Sequence, residues 1–123
     1  MTKGRILFVE DNMDTYELVQ FFMERDGYEI FLADNGRDGV SAAIKQKPDL
    51  ILMDLSLPEM DGWNAARQIK SNPNTKSIPI IALTAHALVS DRKRTLDVGR
   101  DDYIINPIDM VDLVRIVDQA LKH

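Results

Sequence analysis

An open, doubly wound α/β domain on a parallel sheet is the fold class this sequence predicts, and three observations predict it. Short apolar runs of strand length alternate with longer segments of helical spacing along the whole chain, the pattern of repeated β-then-α units. Three of the five runs are continuously apolar, as strands buried on both faces of a parallel sheet must be. The length of 123 residues suits one domain, since domain sizes peak near about 100–150 residues.

The first strand is predicted at Ile6-Leu7-Phe8-Val9. In the helix after it, Leu18, Val19, Phe22 and Met23 make one apolar stripe, with Asp14 as N-cap and Gly27 as its end. The second run, Glu29-Ile30-Phe31-Leu32-Ala33, is more mixed and suits a sheet edge. Val40, Ala43 and Ile44 mark a second helix that must stop before Pro48. Leu50-Ile51-Leu52-Met53 is the third strand. A helix from about Gly62 to Ser71 follows, with Ala65, Ala66 and Ile69 inward, and Asn72-Pro73-Asn74 breaks it. The fourth run is Ile78-Pro79-Ile80-Ile81-Ala82-Leu83. The helix predicted next, about Leu88 to Val98, has few apolar positions because Ser90, Asp91, Arg92, Lys93, Arg94 and Thr95 fall in it. A weaker run, Tyr103-Ile104-Ile105, leads to a last helix capped by Asp109 and carrying Val111, Leu113, Val114, Ile116, Val117, Ala120 and Leu121. Right-handed crossovers between such units put helices on both faces of the sheet. No linker or repeat interrupts the pattern, so residues 1–123 are expected to form one domain without an output domain, any output module sitting on another protein.

Composition excludes several functions. Lys and Arg number 15 against 20 Asp and Glu, for a net charge of −5, whereas a nucleic-acid surface needs clustered basic residues. The absence of cysteine excludes disulfide scaffolds, thiolate zinc sites and thiol catalysis. No apolar run approaches the ~18 residues of a membrane span, and four apolar residues after Arg5 are too few for a signal-peptide core. A soluble, cytoplasmic domain is the expectation.

In open α/β sheets, ligands bind beyond the carboxyl ends of the strands, near the switch in strand order. The first run is followed by Glu10-Asp11-Asn12, the third by Asp54, the fourth by Thr84-Ala85 and the fifth by Asn106-Pro107. Carboxylates from two strands would share one crevice, where like charges raise each other's pKa or demand a cation. Oxygen ligands without His or Cys suit Mg²⁺, or Mn²⁺, better than Zn²⁺. A carboxylate beside such an ion is a competent phosphoryl acceptor, and the Thr84 hydroxyl could hydrogen-bond a phosphoryl oxygen.

These residues together resemble the receiver domain of two-component response regulators. The resemblance rests on Glu10-Asp11-Asn12, on Asp54 followed by Leu55-Ser56-Leu57-Pro58-Glu59-Met60-Asp61-Gly62, on Leu83-Thr84-Ala85, and on Asp102-Tyr103 leading to a proline. It covers essentially the whole chain and implies a flavodoxin-like fold of strand order 2-1-3-4-5. It further implies Asp54 as phosphoacceptor, Glu10 and Asp11 as the acidic metal pair, and the backbone carbonyl of Ser56 as a further metal ligand. Thr84 and Tyr103 would be the switch pair, with Ala85 beside them at the phosphoryl group, and the Asn106-Pro107 peptide bond would be cis. The implied phosphodonor is a sensor histidine kinase or a histidine phosphotransfer protein, and the output is altered affinity for a downstream protein. The oligomeric state expected is a monomer or a weak phosphorylation-dependent dimer, with no direct nucleic-acid or membrane contact.

One position departs from the family pattern. Receivers usually carry lysine where this chain has Asn106, and an amide donates a hydrogen bond but supplies no charge. Two readings follow: a working receiver with altered phosphorylation or switching, or a binding module that acts without phosphoryl transfer. Because Asp54, Glu10, Asp11 and Thr84 all remain, the first is preferred. An Asp-based phosphohydrolase of the haloacid dehalogenase kind would need a second Asp two residues after the nucleophile, where Ser56 stands. In a flavodoxin-type flavin carrier, Glu10, Asp11 and Asp14 would repel the flavin phosphate. Asp61-Gly62 reads as a turn and cap, Met60 and Trp63 as packing, His86 and His123 as surface residues, and Arg92-Lys93-Arg94 as a solvated helix face.

Overall fold

Strand β1 (Arg5–Val9) lies between β2 (Glu29–Ala33) and β3 (Leu50–Asp54) in a parallel sheet that continues through β4 (Ile80–Thr84) to β5 (Asp102–Ile105). The computed structural model describes residues 2–58, 61–84, 102–105 and 109–122, and at 61, 84 and 102–105 the backbone alone. Helices α1 (Met13–Arg25), α2 (Gly36–Gln46), α3 (Asp61–Ser71) and α4 (Met110–Ala120) complete the described elements. The strand order β2-β1-β3-β4-β5 is the one expected, with the mixed run Glu29–Ala33 at an edge. The helix predicted over Leu88 to Val98 lies outside the described residues.

Alternation along the strands divides the core in two. Leu7, Val9, Ile51, Met53, Ile80 and Ala82 face one way and pack with Ala43 of α2 and Ala65, Ala66 and Ile69 of α3. Ile6, Phe8, Leu50, Leu52, Ile81 and Leu83 face the other way, against Val19 and Met23 of α1 and Leu113 and Val117 of α4. Both sheet faces are therefore covered, which is why the central strands read as unbroken apolar runs.

Two details of α1 correct the sequence reading. Its N-cap is Asn12, whose side chain accepts the Thr15 N–H at 3.1 Å, while Asp14 stands in the first turn, where its charge suits the helix dipole. The buried stripe is Tyr16, Val19 and Met23, and Leu18 is 49% exposed. Burial thus follows i, i+3, i+7 spacing, set by the aromatic Tyr16 packing beside Phe8. Gly27 ends the helix as expected. At φ +97° it lets its own N–H reach the Glu24 carbonyl and the Tyr28 N–H reach the Met23 carbonyl, a Schellman closure.

The remaining helices begin and end near their predicted positions. Asn35 caps α2 through the Asp38 N–H, and Lys47 closes it in the left-handed region ahead of Pro48. Of the three apolar residues that mark α2, Ala43 is buried, while Val40 is only partly buried and Ile44 is exposed; Gly36 and Gly39 are buried too, Gly39 against Val9 of β1. Ala65, Ala66 and Ile69 of α3 are buried as predicted. Asp109 caps α4 by accepting from the N–H groups of Val111 and Asp112. Leu113 and Val117 carry its buried face, and Val111 is exposed. No helix among the described residues is long and apolar enough to cross a membrane.

Candidate functional site

The polar residues predicted at the strand ends converge because the parallel strands finish in register. Val9 pairs with Met53, Asp54 with Leu83, and Thr84 with Ile105. The ladder runs one residue past β1, since the Glu10 N–H donates to the Ala33 carbonyl at 2.9 Å. That bond holds Glu10 at the sheet edge of the crevice with 5% of its surface exposed, and Asp54, now the last residue of β3, is 7% exposed. Asp11 is exposed beside them. One carboxylate oxygen from each of Glu10, Asp11 and Asp54 lies within 4.8 Å of the others.

Three carboxyl groups in so small a space cannot all ionise without compensation. Burial first, then the hydrogen bond shared with Asp54 and the repulsion of its charge, push the Glu10 carboxyl up to about 8; the Asn12 N–H, at 3.2 Å from Oε2, pulls the other way. On the other carboxylate, the Ser56 N–H donates to Asp54 Oδ1 at 2.7 Å, which fixes its orientation. None of the ion pairs among the described residues involves Glu10, Asp11 or Asp54. An all-oxygen donor set, crowded and without a cationic partner among the described residues, fits a hard divalent cation such as Mg²⁺.

The other predicted site residues fall as follows. Thr84 is the last residue of β4, one position beyond the Leu83 that pairs with Asp54. Tyr103 lies in β5, paired with Ala82. Ser56 follows Asp54 in the turn, its side chain exposed. Ala85, Asn106, Pro107 and the peptide bond expected to be cis lie outside the described residues. Trp63 is buried in the core, as its reading as packing anticipates. One close approach was not anticipated: Gly62, read as part of a turn, lies in the first turn of α3 directly over the backbone of Asp54. The signal that could have found it is glycine inside a helix, where alanine is intrinsically better.

Comparison with known proteins agrees with this architecture. A family model described as the response regulator receiver domain matches residues 6–118. The chain is 32% identical over 118 residues to protein PilH of Pseudomonas aeruginosa, covering 96% of this chain and 98% of PilH. It is 39% identical over 118 residues to the transcriptional regulatory protein PcoR of Escherichia coli, covering 96% of this chain and 51% of PcoR. The chain thus spans about half the length of PcoR, and similar shares of several other regulators it matches. Among solved structures, the receiver domain of the sensor histidine kinase PA1611 from Pseudomonas aeruginosa superposes with a TM-score of 0.89 at 38% identity, covering 98% of each chain; that structure has a magnesium ion coordinated in its active site cleft.

Proposed function

Because the chain belongs to the response regulator receiver domain family of two-component signalling, we propose that it accepts a phosphoryl group on Asp54 from a histidine-phosphorylated donor, in a Mg²⁺-dependent reaction. The observation that carries this reading is the meeting of Glu10, Asp11 and Asp54 at the ends of two neighbouring strands. Glu10 and Asp11, with one Asp54 oxygen and the Ser56 backbone carbonyl, would hold the ion. Bound there, Mg²⁺, or Mn²⁺ in its place, neutralises charge on the transferring group.

The Ser56 N–H holds one Asp54 oxygen, and a carboxylate oxygen attacks phosphorus. The phosphorus–nitrogen bond of the donor breaks as the new oxygen–phosphorus bond forms, and the freed imidazole nitrogen keeps the electron pair and takes a proton from water. Thr84 and Ala85 would receive the phosphoryl oxygens, Tyr103 would report the change, and Asn106 would offer a hydrogen-bond donor where a cation is usual. The phospho-form then biases a two-state surface toward a downstream protein. The domain works in the cytoplasm with a sensor histidine kinase or histidine phosphotransfer protein, as a monomer or a weak phosphorylation-dependent dimer. It turns over no external substrate as a conventional enzyme does, its catalysis being limited to its own phosphorylation and dephosphorylation. Residues 1–123 act as one receiver unit.

Incubation with acetyl phosphate, with and without Mg²⁺, followed by intact-protein mass measurement tests the proposal. A gain of one phosphoryl mass that needs Mg²⁺ and is lost in Asp54→Asn supports it. No adduct, together with no NMR response to beryllofluoride, overturns it in favour of a phosphorylation-independent binding module, the reading that Asn106 keeps open.

A further inference from the structure

We infer that Gly62 is a positioning residue for this site: its lack of a side chain lets the first turn of α3 rest on the Asp54–Leu55 peptide and so fixes where the Asp54 carboxylate and Ser56 stand. The inference rests on the reading of Asp54 as phosphoacceptor beside a cation, and adds a residue that meets Asp54 at its backbone.

A Cβ built on Gly62 collides with the carbonyl oxygen of Asp54 and comes within 3.1 Å of its carbonyl carbon and 3.2 Å of Leu55 Cα. All three are backbone atoms in or beside a central, buried strand, so none can swing aside as a side-chain tip would. Conformation is not what requires glycine here. Among the described residues the glycine with positive φ is Gly27, so Gly62 has a backbone that alanine can adopt, and alanine would favour the helix by ~1 kcal/mol. Space alone excludes it.

The peptide beneath Gly62 is held from its other sides. Asp54 pairs with Leu83 across the sheet, the Leu55 N–H donates to the Leu83 carbonyl at 2.8 Å, and the Ser56 N–H donates to Asp54 Oδ1 at 2.7 Å. Nor can α3 lift freely, because Ala65, Ala66 and Ile69 seat it in the core. A methyl group at position 62 must therefore be relieved partly by movement of the Asp54–Ser56 turn. Those residues are set against Glu10 and Asp11, and misplacement of a reacting group by ~1 Å can cost about a hundredfold in rate.

The test compares wild type, Gly62→Ala and Ile69→Ala by Mg²⁺ titration calorimetry, ¹H–¹⁵N spectra and phosphoryl uptake at saturating Mg²⁺. Ile69→Ala opens a cavity under the same helix away from the turn, so it should lower the melting temperature yet bind Mg²⁺ as wild type does. Gly62→Ala should bind Mg²⁺ about tenfold more weakly and take up phosphoryl more slowly even when saturated with Mg²⁺. Wild-type affinity and rate in a folded Gly62→Ala would overturn the inference while leaving Asp54 as acceptor. Should Gly62→Ala not fold, the wild-type spectrum decides: the Gly62 and Ser56 amides must shift together on Mg²⁺ addition, and a stationary Gly62 signal refutes the coupling. A wild-type chain that binds no Mg²⁺ removes the underlying reading and this one with it.

Discussion

Tyr28 donates a 2.5 Å hydrogen bond from its hydroxyl to Oδ1 of Asp118, joining the start of β2 to α4 across ninety positions of sequence. Lys3 adds bonds of 2.9 Å to Asp118 and to Asp26, so the cluster ties the segment before β1, the end of α1 and α4 together, at the sheet end remote from the carboxylates. Burial alone would raise the Asp118 pKa, but the hydrogen bonds from Tyr28 and Lys3 outweigh it and hold the carboxyl below its ordinary value. A depressed acid contributes stability above its unfolded pKa and loses it as pH falls through the folded one. Tyr28→Phe should cost about 1 kcal/mol near neutrality. Urea melts at pH 7 and pH 3 should show the difference from wild type shrinking on the acid side; an equal difference at both would count against the linkage.

Glu10 runs in the opposite direction. Its carboxyl, raised from 4.5 to about 8 by burial and by Asp54, holds a proton in the folded chain that the unfolded chain has released. Without metal, stability should therefore fall as pH rises from about 4.5 to about 8. Mg²⁺ should reverse that loss by taking the proton's place, so its stabilising effect is larger at pH 8.5 than at pH 5.5. Thermal melts in chelator and in Mg²⁺ at the two pH values check this, and a metal effect independent of pH would contradict it.

Removing one of the crowded charges should stabilise the metal-free protein even as it removes the proposed chemistry. Asp54→Asn keeps an oxygen for the Ser56 N–H but ends the repulsion with Glu10. A gain on the order of 1 kcal/mol, or about 4 °C in a domain of this size, is expected at pH 8 in chelator, with no phosphoryl uptake. Unchanged or lowered stability would mean that the charges are already compensated.

On the proposed function, Asn106→Lys would supply the cation that receivers usually carry at this position. Phosphoryl uptake from acetyl phosphate should rise about tenfold, the kinetic equivalent of ~1.4 kcal/mol, or the phospho-form should decay at a different rate. Stopped-flow uptake and decay curves that superpose on wild type would make the substitution irrelevant here.

Capping supplies a structural check. Asn12→Ala removes the acceptor for the Thr15 N–H and should cost about 1 kcal/mol, whereas Asp14→Ala loses only a charge in the first turn. Chemical denaturation that ranks the two the other way would put the cap at Asp14 after all.

That last pair illustrates what the sequence could and could not disclose. Strands β1, β3 and β4 were legible because burial on both faces demands unbroken apolar runs, and Asp54 was legible because a charge follows such a run. Asn12 and Asp14 are both good capping residues, and local sequence does not say which one leaves the extended region. The phase of α1 was misread for a related reason: Leu18 and Tyr16 are both eligible for burial, and Phe8, on another element, makes the choice. The Glu10 carboxyl is raised by its burial and then by Asp54, forty-four positions away, and the approach of Gly62 to the Asp54 carbonyl depends on how α3 docks. Such features are properties of pairs brought together by topology, and neither partner announces them alone.

Strand order also gives the site a condition for existing. Glu10 and Asp11 follow β1 while Asp54 ends β3, and these strands touch only after α1, β2 and α2 have been laid down between them in sequence. A chain that has completed only its first hairpin-length of structure holds half a cation site and no acceptor. If phosphoryl uptake proceeds as proposed, it certifies assembly as well as receiving a message, because only a copy whose central strands have closed holds the complete site.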